Sequence, residues 1–512
     1  MWTRDSLHGL IDEKLRGYKF LVVSNREPYI HHYSSGQVLV ETPASGMATA
    51  LDPILRTSGG TWIAHGSGDA DRSAVDEHDR IAVPPDNPLY ALRRVWLTRE
   101  EEQGYYYGAS NASIWPLCHV VYTRPVFEQK DWECYRKVNE RFRDAVLEEA
   151  GSDPTFVFIQ DYHLALLPRM LRDSGSASLI VAQFWHIPWP NHEIFRTMPW
   201  AEEMLDGLLG NDLLGFHLRY DCQNFLESVD RAVEAKINYP DFEITRGGRS
   251  TLVRPFPISI DFDAHDVMAR SVAVEEEMQR WEQRLRLRPG DLVGIGIDRI
   301  DYTKGIPERL RAVAGLLERC PEYRERLVFV QIGVPSRIHL SPYKHLNDEI
   351  EALVEEINWK WGSGAWTPIV YRYGHHSQIE MAALHRLSSF CVVNALHDGM
   401  NLVAKEYVAS RFDCDGVLIL SQFTGASREL TDAMLINPFS VEETAQAMRM
   451  ALEMPSEERA RRMQKMREMV AANNIYRWAG KFLSALLRFD FAETPVSSVP
   501  AATNKTTDGA FV

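Results

Sequence analysis

Cysteine is scarce. The 512 residues hold 6, and Cys118, Cys134, Cys222, Cys320, Cys391 and Cys414 fall in no CxxC pair and at no zinc-type spacing. That scatter excludes a disulfide framework, and the six read as reduced, mostly buried apolar residues of a cytosolic protein. Long hydrophobic runs are missing too. No window approaches the ~18 consecutive apolar residues of a membrane span, and runs such as Ser178–Trp185 are strand-sized. The start carries Asp5 early and has no apolar h-region, so no secretory signal is expected. Positive charge is in deficit: Lys and Arg number 56 against 71 Asp and Glu, a net charge of −15. Such a surface repels polyanions, which argues against nucleic acid and anionic membranes as partners. A small anion held by a few converging cations stays possible. Two phosphate-binding signatures are also absent. There is no GxxxxGKS or GxxxxGKT loop, and Gly294-Ile295-Gly296 lacks the third glycine of a dinucleotide fingerprint.

What is present is ordinary globular material, 45% hydrophobic and 25% charged, long enough for two to four domains. Short apolar runs alternate with longer amphipathic stretches. Phe20–Val23, Phe156–Ile159, Leu179–Ala182, Val293–Ile297, Leu327–Ile332, Phe390–Val393 and Val417–Leu420 read as buried strands. Between them lie helical patterns such as Pro307–Leu317, with Leu310, Val313, Leu316 and Leu317 on one face and Pro307 in the first turn. This alternation predicts an α/β fold with parallel sheets covered by helices on both faces. The proline-bearing run Arg254–Asp261 breaks the pattern near the middle, which places a domain boundary there.

In parallel α/β sheets, ligands bind beyond the carboxyl ends of strands, beside helix N-termini. The polar residues that directly follow the apolar runs are therefore the candidates. They are Ser24-Asn25-Arg26, Asp161-Tyr162-His163, His186, Asp298-Arg299 and Asp398-Gly399-Met400-Asn401, and both halves of the chain supply them. Arg299 and Lys304 sit in one strand-to-helix loop, and two fixed cations with a helix dipole suit a diphosphate. Taken alone, that segment fits a solvated loop equally well. Gly399 lets backbone approach a ligand, and Glu406, about one and a half turns into the next helix, suits the two hydroxyls of a ribose. A helix cap and a surface glutamate explain the same residues. His186 lies between Trp185 and Trp189 in a stretch fixed by Pro188 and Pro190, which suits a sugar face or a satisfied core histidine. Tyr105–Trp115 reads as an aromatic-rich loop.

Together these segments resemble the trehalose-6-phosphate synthase family, retaining glycosyltransferases of the two-domain GT-B fold. The resemblance runs from about Phe20 to about Phe491 and rests on DRIDYTKGIPERL at 298–310 and DGMNLVAKEYVA at 398–409. FWHIPWPNHEIFR, IQDYHL, LLGFHLRYD, SNR, YYYGASNASIWPL and PSR support it in the expected order. It implies two Rossmann-like domains facing each other across a cleft: residues 1–260 for the acceptor and 261–470 for the nucleotide sugar. A helix over 471–491 would cross back to the N-terminal domain; the composition of 492–512, rich in Ser, Thr, Ala and Pro, itself predicts a disordered tail. The implied catalytic set is His186, Arg299, Lys304 and Asp398. Donor contacts would come from Gly46, Arg299, Lys304, Gly399, Met400, Asn401, Leu402, Val403 and Glu406. Acceptor contacts would come from Arg26, Tyr106, Trp115, Asp161 and Arg337.

The implied reaction moves glucose from UDP- or ADP-glucose to glucose 6-phosphate, with no cofactor and no metal, in the cytoplasm. Some positions depart from the family pattern: Ala44-Ser45 for a paired glycine, Ala109 for phenylalanine, Ser259 for glycine, His397 for arginine, and Glu27-Pro28-Tyr29 after Arg26. They keep two alternatives open, a different phosphorylated acceptor (glycerol 3-phosphate or a cyclitol phosphate) and a non-catalytic sugar-phosphate-binding subunit. The chain ends without a DxDGT phosphatase module, so synthase activity alone is expected. Base identity and oligomeric state stay open.

Overall fold

The computed structural model describes residues 2–42, 46–176 and 178–488, with backbone only for 46–50. Ala44, Ser45 and the expected tail at 492–512 lie outside the described residues. The apolar runs form strands because nearly every side chain along them is buried on both faces. Thr155–Gln160 and Leu327–Val334 are buried throughout. Such strands suit the interior of a parallel sheet.

Two sheets result. The first has ten strands, ordered 236–238, 243–246, 249–255, 213–216, 179–184, 155–160, 19–24, 61–65, 90–95 and 80–83. Its strands from 249–255 through 90–95 are parallel. Antiparallel strands close both edges. The second sheet has six strands, all parallel, ordered 369–373, 327–334, 292–299, 390–393, 417–421 and 434–436. In each sheet the parallel strands are laid down outward to one side of the first strand and then outward to the other. A crevice opens where the order reverses. In the first sheet it lies between 19–24 and 155–160, and in the second between 292–299 and 390–393. Ser24-Asn25-Arg26 and Asp161 sit at one reversal; Asp298-Arg299 and Asp398 sit at the other.

Helices cover the sheets. The helix Ile306–Arg319 buries Ile306, Leu310, Val313, Leu316 and Leu317, and Pro307 lies in its first turn, where its missing N–H costs nothing. The chain leaves the first sheet at Pro255 and enters the second at Leu292. The last described helix, Ile475–Leu487, packs on the first sheet, not the second. Phe482 lies 4.5 Å from Phe158 and 5.0 Å from Phe256 between ring centroids, and Trp478 Nε1 donates to the Phe256 carbonyl. The segment Gln103–Ile114, expected as a loop, is instead a wide helix of π type that runs directly into Trp115–His119. Its rows of Tyr, Gly and Ser lack the 3.6-residue periodicity by which helices are read.

Candidate active site

The two reversal crevices face each other, and a cleft of about 980 Å³ lies between them. Arg26, Tyr106, Trp115, Asp161 and His186 from the first half line it. Arg299, Lys304, Arg337, Asp398, Met400, Asn401, Leu402, Val403 and Glu406 line it from the second. Gly399 abuts it: a Cβ there would fall 2.4 Å from the His186 carbonyl oxygen. Gly46 begins the helix Gly46–Ser58, and the residues before it are outside the described set.

On the second half, Lys304 Nζ donates to Asp398 Oδ2 at 2.5 Å, and Asn401 Nδ2 donates to the same oxygen at 3.1 Å. Burial alone would raise the Asp398 carboxyl, but the Lys304 charge and hydrogen bond outweigh it and hold Asp398 at about 2. Asn401 also caps the helix Leu402–Ser410 by accepting from Ala404 N–H. Leu402 and Val403 form the first turn of that helix and line the cleft, so the positive end of the helix dipole lies at the cleft. Glu406 is pushed up by burial, partly offset by the charge of His265. Arg299 makes no hydrogen bond or ion pair with the described residues, and its guanidinium sits 5.7 Å from the Trp115 ring. Two arginine planes face that indole, since Arg337 lies 4.0 Å from it.

On the first half, Arg26 Nη2 donates to Tyr106 Oη at 2.9 Å. Tyr106 stacks on His163 with ring planes 12° apart. Burial would raise its phenol, yet Arg26, Arg337 and Arg299 together lower it to about 8. A neutral phenol lowered by three guanidiniums marks a strongly anion-attracting point. Arg337 is tied across the cleft, donating to Asp301 Oδ2 at 2.9 Å, to Tyr343 Oη at 2.8 Å and to Tyr162 Oη at 3.3 Å. Asp161 accepts from His186 N–H at 3.3 Å, and burial raises its carboxyl to about 6 although backbone N–H groups, Arg337 and Arg299 pull it down. His186 Nε2 pairs with Gln160 Oε1 at 2.9 Å. Burial, and then His217, hold the ring neutral.

Strain gathers here. Asp161 (φ 70°), Arg337 (φ 50°) and Asn401 (φ 81°) all hold left-handed backbone that side chains avoid. Buried polar atoms without a protein partner gather here too. Asn25 Oδ1, Trp115 Nε1, Gln160 Nε2 and His163 Nε2 all belong to cleft-lining residues. Unpaired buried polar atoms are costly, and a polyhydroxylated ligand would satisfy them. Among the described residues no group of three or more His, Cys, Asp or Glu is placed to hold a metal ion, and no helix is long and apolar enough to cross a membrane.

Comparison with known proteins decides the family. The model of glycosyltransferase family 20 matches residues 18–488. The chain belongs to glycosyltransferase family 20. The trehalose-6-phosphate synthase of Mycolicibacterium vanbaalenii is 38% identical over 478 residues, 92% of this chain and 96% of the relative. A solved structure, trehalose-6-phosphate from E. coli bound with UDP-2-fluoro glucose, superposes with a TM-score of 0.81 at 30% identity, covering 92% of this chain and 99% of that one. An α,α-trehalose-phosphate synthase (UDP-forming) from Burkholderia xenovorans, in complex with glucose-6-phosphate, gives 0.81 at 28% identity, covering 91% and 100%. The two-sheet architecture of this family 20 chain is the GT-B fold.

Of the departures from the family pattern among the described residues, Pro28 and Tyr29 line the cleft, whereas Ala109, Ser259 and His397 do not. Ala109 is 1% exposed inside the wide helix, and Ser259 is fully buried. His397 Nδ1 pairs with the His119 carbonyl oxygen at 2.6 Å, joining the two halves. Three groups at the site are not among the residues expected from the sequence: His217 lines the cleft, and Asp301 and Tyr343 lie behind Arg337. His217 follows the strand Leu213–Phe216 and hydrogen-bonds the His186 carbonyl at 3.0 Å, so the strand-end rule had the means to find it. Asp301, wholly buried under Arg337, and Tyr343 carry no such signal.

Proposed function

We propose that this chain transfers glucose, with retention, from a nucleotide-glucose donor to glucose 6-phosphate, forming α,α-trehalose 6-phosphate. The observation that carries the reading is the pairing of two anion-seeking points in one cleft: Arg299 and Lys304 beside a helix N-terminus, and Arg26 with Arg337 around Tyr106. UDP-glucose is the favoured donor, because a solved relative binds UDP-2-fluoro glucose. Glucose 6-phosphate is the favoured acceptor, because another binds it.

In this reading Arg299, Lys304 and the N–H groups of Leu402 and Val403 hold the diphosphate, and Glu406 accepts both ribose hydroxyls. Asp398 with the backbone of Gly399, Met400 and Asn401 holds the glucose being moved, beside His186. Gly46 begins the helix whose N-terminus faces the phosphates. Arg26, Tyr106, Trp115, Asp161 and Arg337 hold the sugar phosphate. The bond from anomeric carbon to diphosphate breaks on the face where the acceptor hydroxyl attacks. The departing diphosphate oxygen takes that hydroxyl's proton, and Arg299 and Lys304 offset the charge it gains. Residues 1–260 and 261–470 act as acceptor and donor domains, and their closure brings the two sites together.

The test is a product assay with UDP-glucose and ADP-glucose against glucose 6-phosphate, glycerol 3-phosphate and fructose 6-phosphate. Nucleotide release that depends on glucose 6-phosphate supports the proposal. Release with glycerol 3-phosphate alone would replace the acceptor, and no release with any sugar phosphate would sink the enzyme reading.

A further inference from the structure

Arg26 is followed by a glutamate that never reaches the cleft. Glu27 is 1% exposed and meets Arg94, also 1% exposed. Arg94 Nε donates to Glu27 Oε2 at 2.9 Å, and its Nη2 lies 2.8 Å from Asp71 Oδ1 and 2.8 Å from His31 Nδ1. It also donates to the carbonyls of Tyr29 and Asp71. Glu27 Oε1 accepts from Ser67 N–H and Oγ, and Asp71 accepts from the N–H groups of His31 and Gly68. Two buried carboxyls thus share one guanidinium, and one cation neutralises only one of them. The second keeps a proton or bears an uncompensated buried charge. Burial and contact with Asp71 place that proton on Glu27, raised to about 8 although Arg94 pulls the other way. His31 is lowered by burial and by Arg94, and His65, next to Asp71, is lowered by burial to about 4, so both rings are neutral above pH 7.

The hub is one peptide from Arg26. On its other side, Ser24 Oγ donates to the Arg26 carbonyl at 2.6 Å and is itself held by Trp62 Nε1 at 2.8 Å. The Arg26 turn therefore hangs between the end of a central strand and the Glu27–Arg94 contact. We infer that Glu27 is a positioning residue for the acceptor phosphate: through Arg94 and Ser67 it fixes the turn that carries Arg26, and when it ionises it adds an uncompensated buried negative charge one residue from that guanidinium, which weakens phosphate binding. This rests on the sugar-phosphate reading given above.

The experiment measures acceptor KM and kcat for the full chain and for Glu27→Gln from pH 7 to 9.5, where the acceptor phosphate stays dianionic (second pKa about 6). Tyr106 titrates in the same range but is common to both proteins, so the difference between profiles is the readout. Wild-type KM is expected to rise about fivefold more than that of Glu27→Gln across the range, with matching kcat profiles. Superimposable KM profiles, or a difference confined to kcat, would overturn the inference. If Glu27→Gln does not fold, Ser67→Ala serves in its place. Removing the Oγ donor to the carboxylate should move the wild-type KM midpoint up by about half a pH unit, and an unmoved midpoint overturns the inference. No turnover with any sugar phosphate at any pH would instead defeat the functional reading itself.

Discussion

The Lys304–Asp398 pair shows how a single contact does two jobs. Asp398 belongs to the loop proposed to hold the moving sugar, and Lys304 belongs to the loop proposed to hold the diphosphate. Their 2.5 Å bond locks one loop against the other. The Asp398 carboxyl is depressed below its unfolded value, so the stability it supplies is present above about pH 4 and is lost as pH falls through about 2. At neutral pH it is therefore always an anion, and its partner cannot be removed without cost. We predict that Lys304→Ala lowers kcat by about two to three orders of magnitude, the loss expected for one preorganised charge at a leaving group. Acceptor KM should move less than about threefold. Steady-state kinetics in both substrates check this, and a kcat within about threefold of wild type would remove Lys304 from its role.

Asp161 behaves in the opposite sense: raised to about 6, it ionises only as pH climbs through that value. Acceptor affinity should fall below pH 6 in the wild type, and Asp161→Asn should lose that limb while keeping the limb due to the phosphate itself. Identical acid limbs would count against an acceptor contact. These residues were legible because polar groups follow buried strands, and the phosphate cations were legible because they flank a helix start. Asp301 and Tyr343 were not, since their part is to hold Arg337 in place: Asp301 lies 36 residues from it and Tyr343 six, and neither separation matches a local pattern that announces a contact.

At the scale of elements, the strands were readable because burial on both faces leaves a continuous apolar run, and the order of those runs sufficed for two parallel sheets. The antiparallel edges at 80–83 and 236–246 were not, because short, half-exposed strands carry no such run. Nor was the wide helix at 103–114, whose period differs from that of an α-helix. One element boundary is especially exacting. The loop before the helix Leu402–Ser410 passes so close to the other half that a Cβ at Gly399 would meet the His186 carbonyl oxygen at 2.4 Å and His217 Cδ2 at 3.0 Å. Both neighbours are fixed, the carbonyl by the His217 hydrogen bond and the ring by burial. Gly399→Ala must therefore displace the 398–401 loop and with it Asp398. We predict a loss of about a hundredfold or more in kcat/KM, with the melting temperature within a few degrees of wild type, because the cleft and not the core absorbs the shift. Circular dichroism melts and kinetics together check it; near-wild-type activity would mean that the loop approaches the first half less closely.

For the whole molecule, the net charge of −15 and the cationic cleft make opposing demands on an anionic acceptor. The acidic surface acts at a distance, and Arg26, Arg299, Lys304 and Arg337 act at contact. Salt separates the two, because it screens long range first: the Debye length falls from about 30 Å at 0.01 M to about 10 Å at 0.1 M and about 3 Å at 1 M. Between 0.01 and 0.1 M, added salt chiefly removes the repulsion from the acidic shell, so acceptor KM should stay level or fall. Between 0.1 and 1 M the shell is already silent, and further salt can act only on the contacts in the cleft. There KM should rise, by about two- to fivefold, since Arg337 is 8% exposed and Lys304 also 8%, which shields them in part. A steep rise beginning at 0.01 M would mean that the shell is not felt by the ligand. A KM that ignores salt up to 1 M would mean that the four cations do not hold the substrates. The acidic exterior then governs approach, the basic floor governs capture, and the turning point near 0.1 M is where control passes from one to the other.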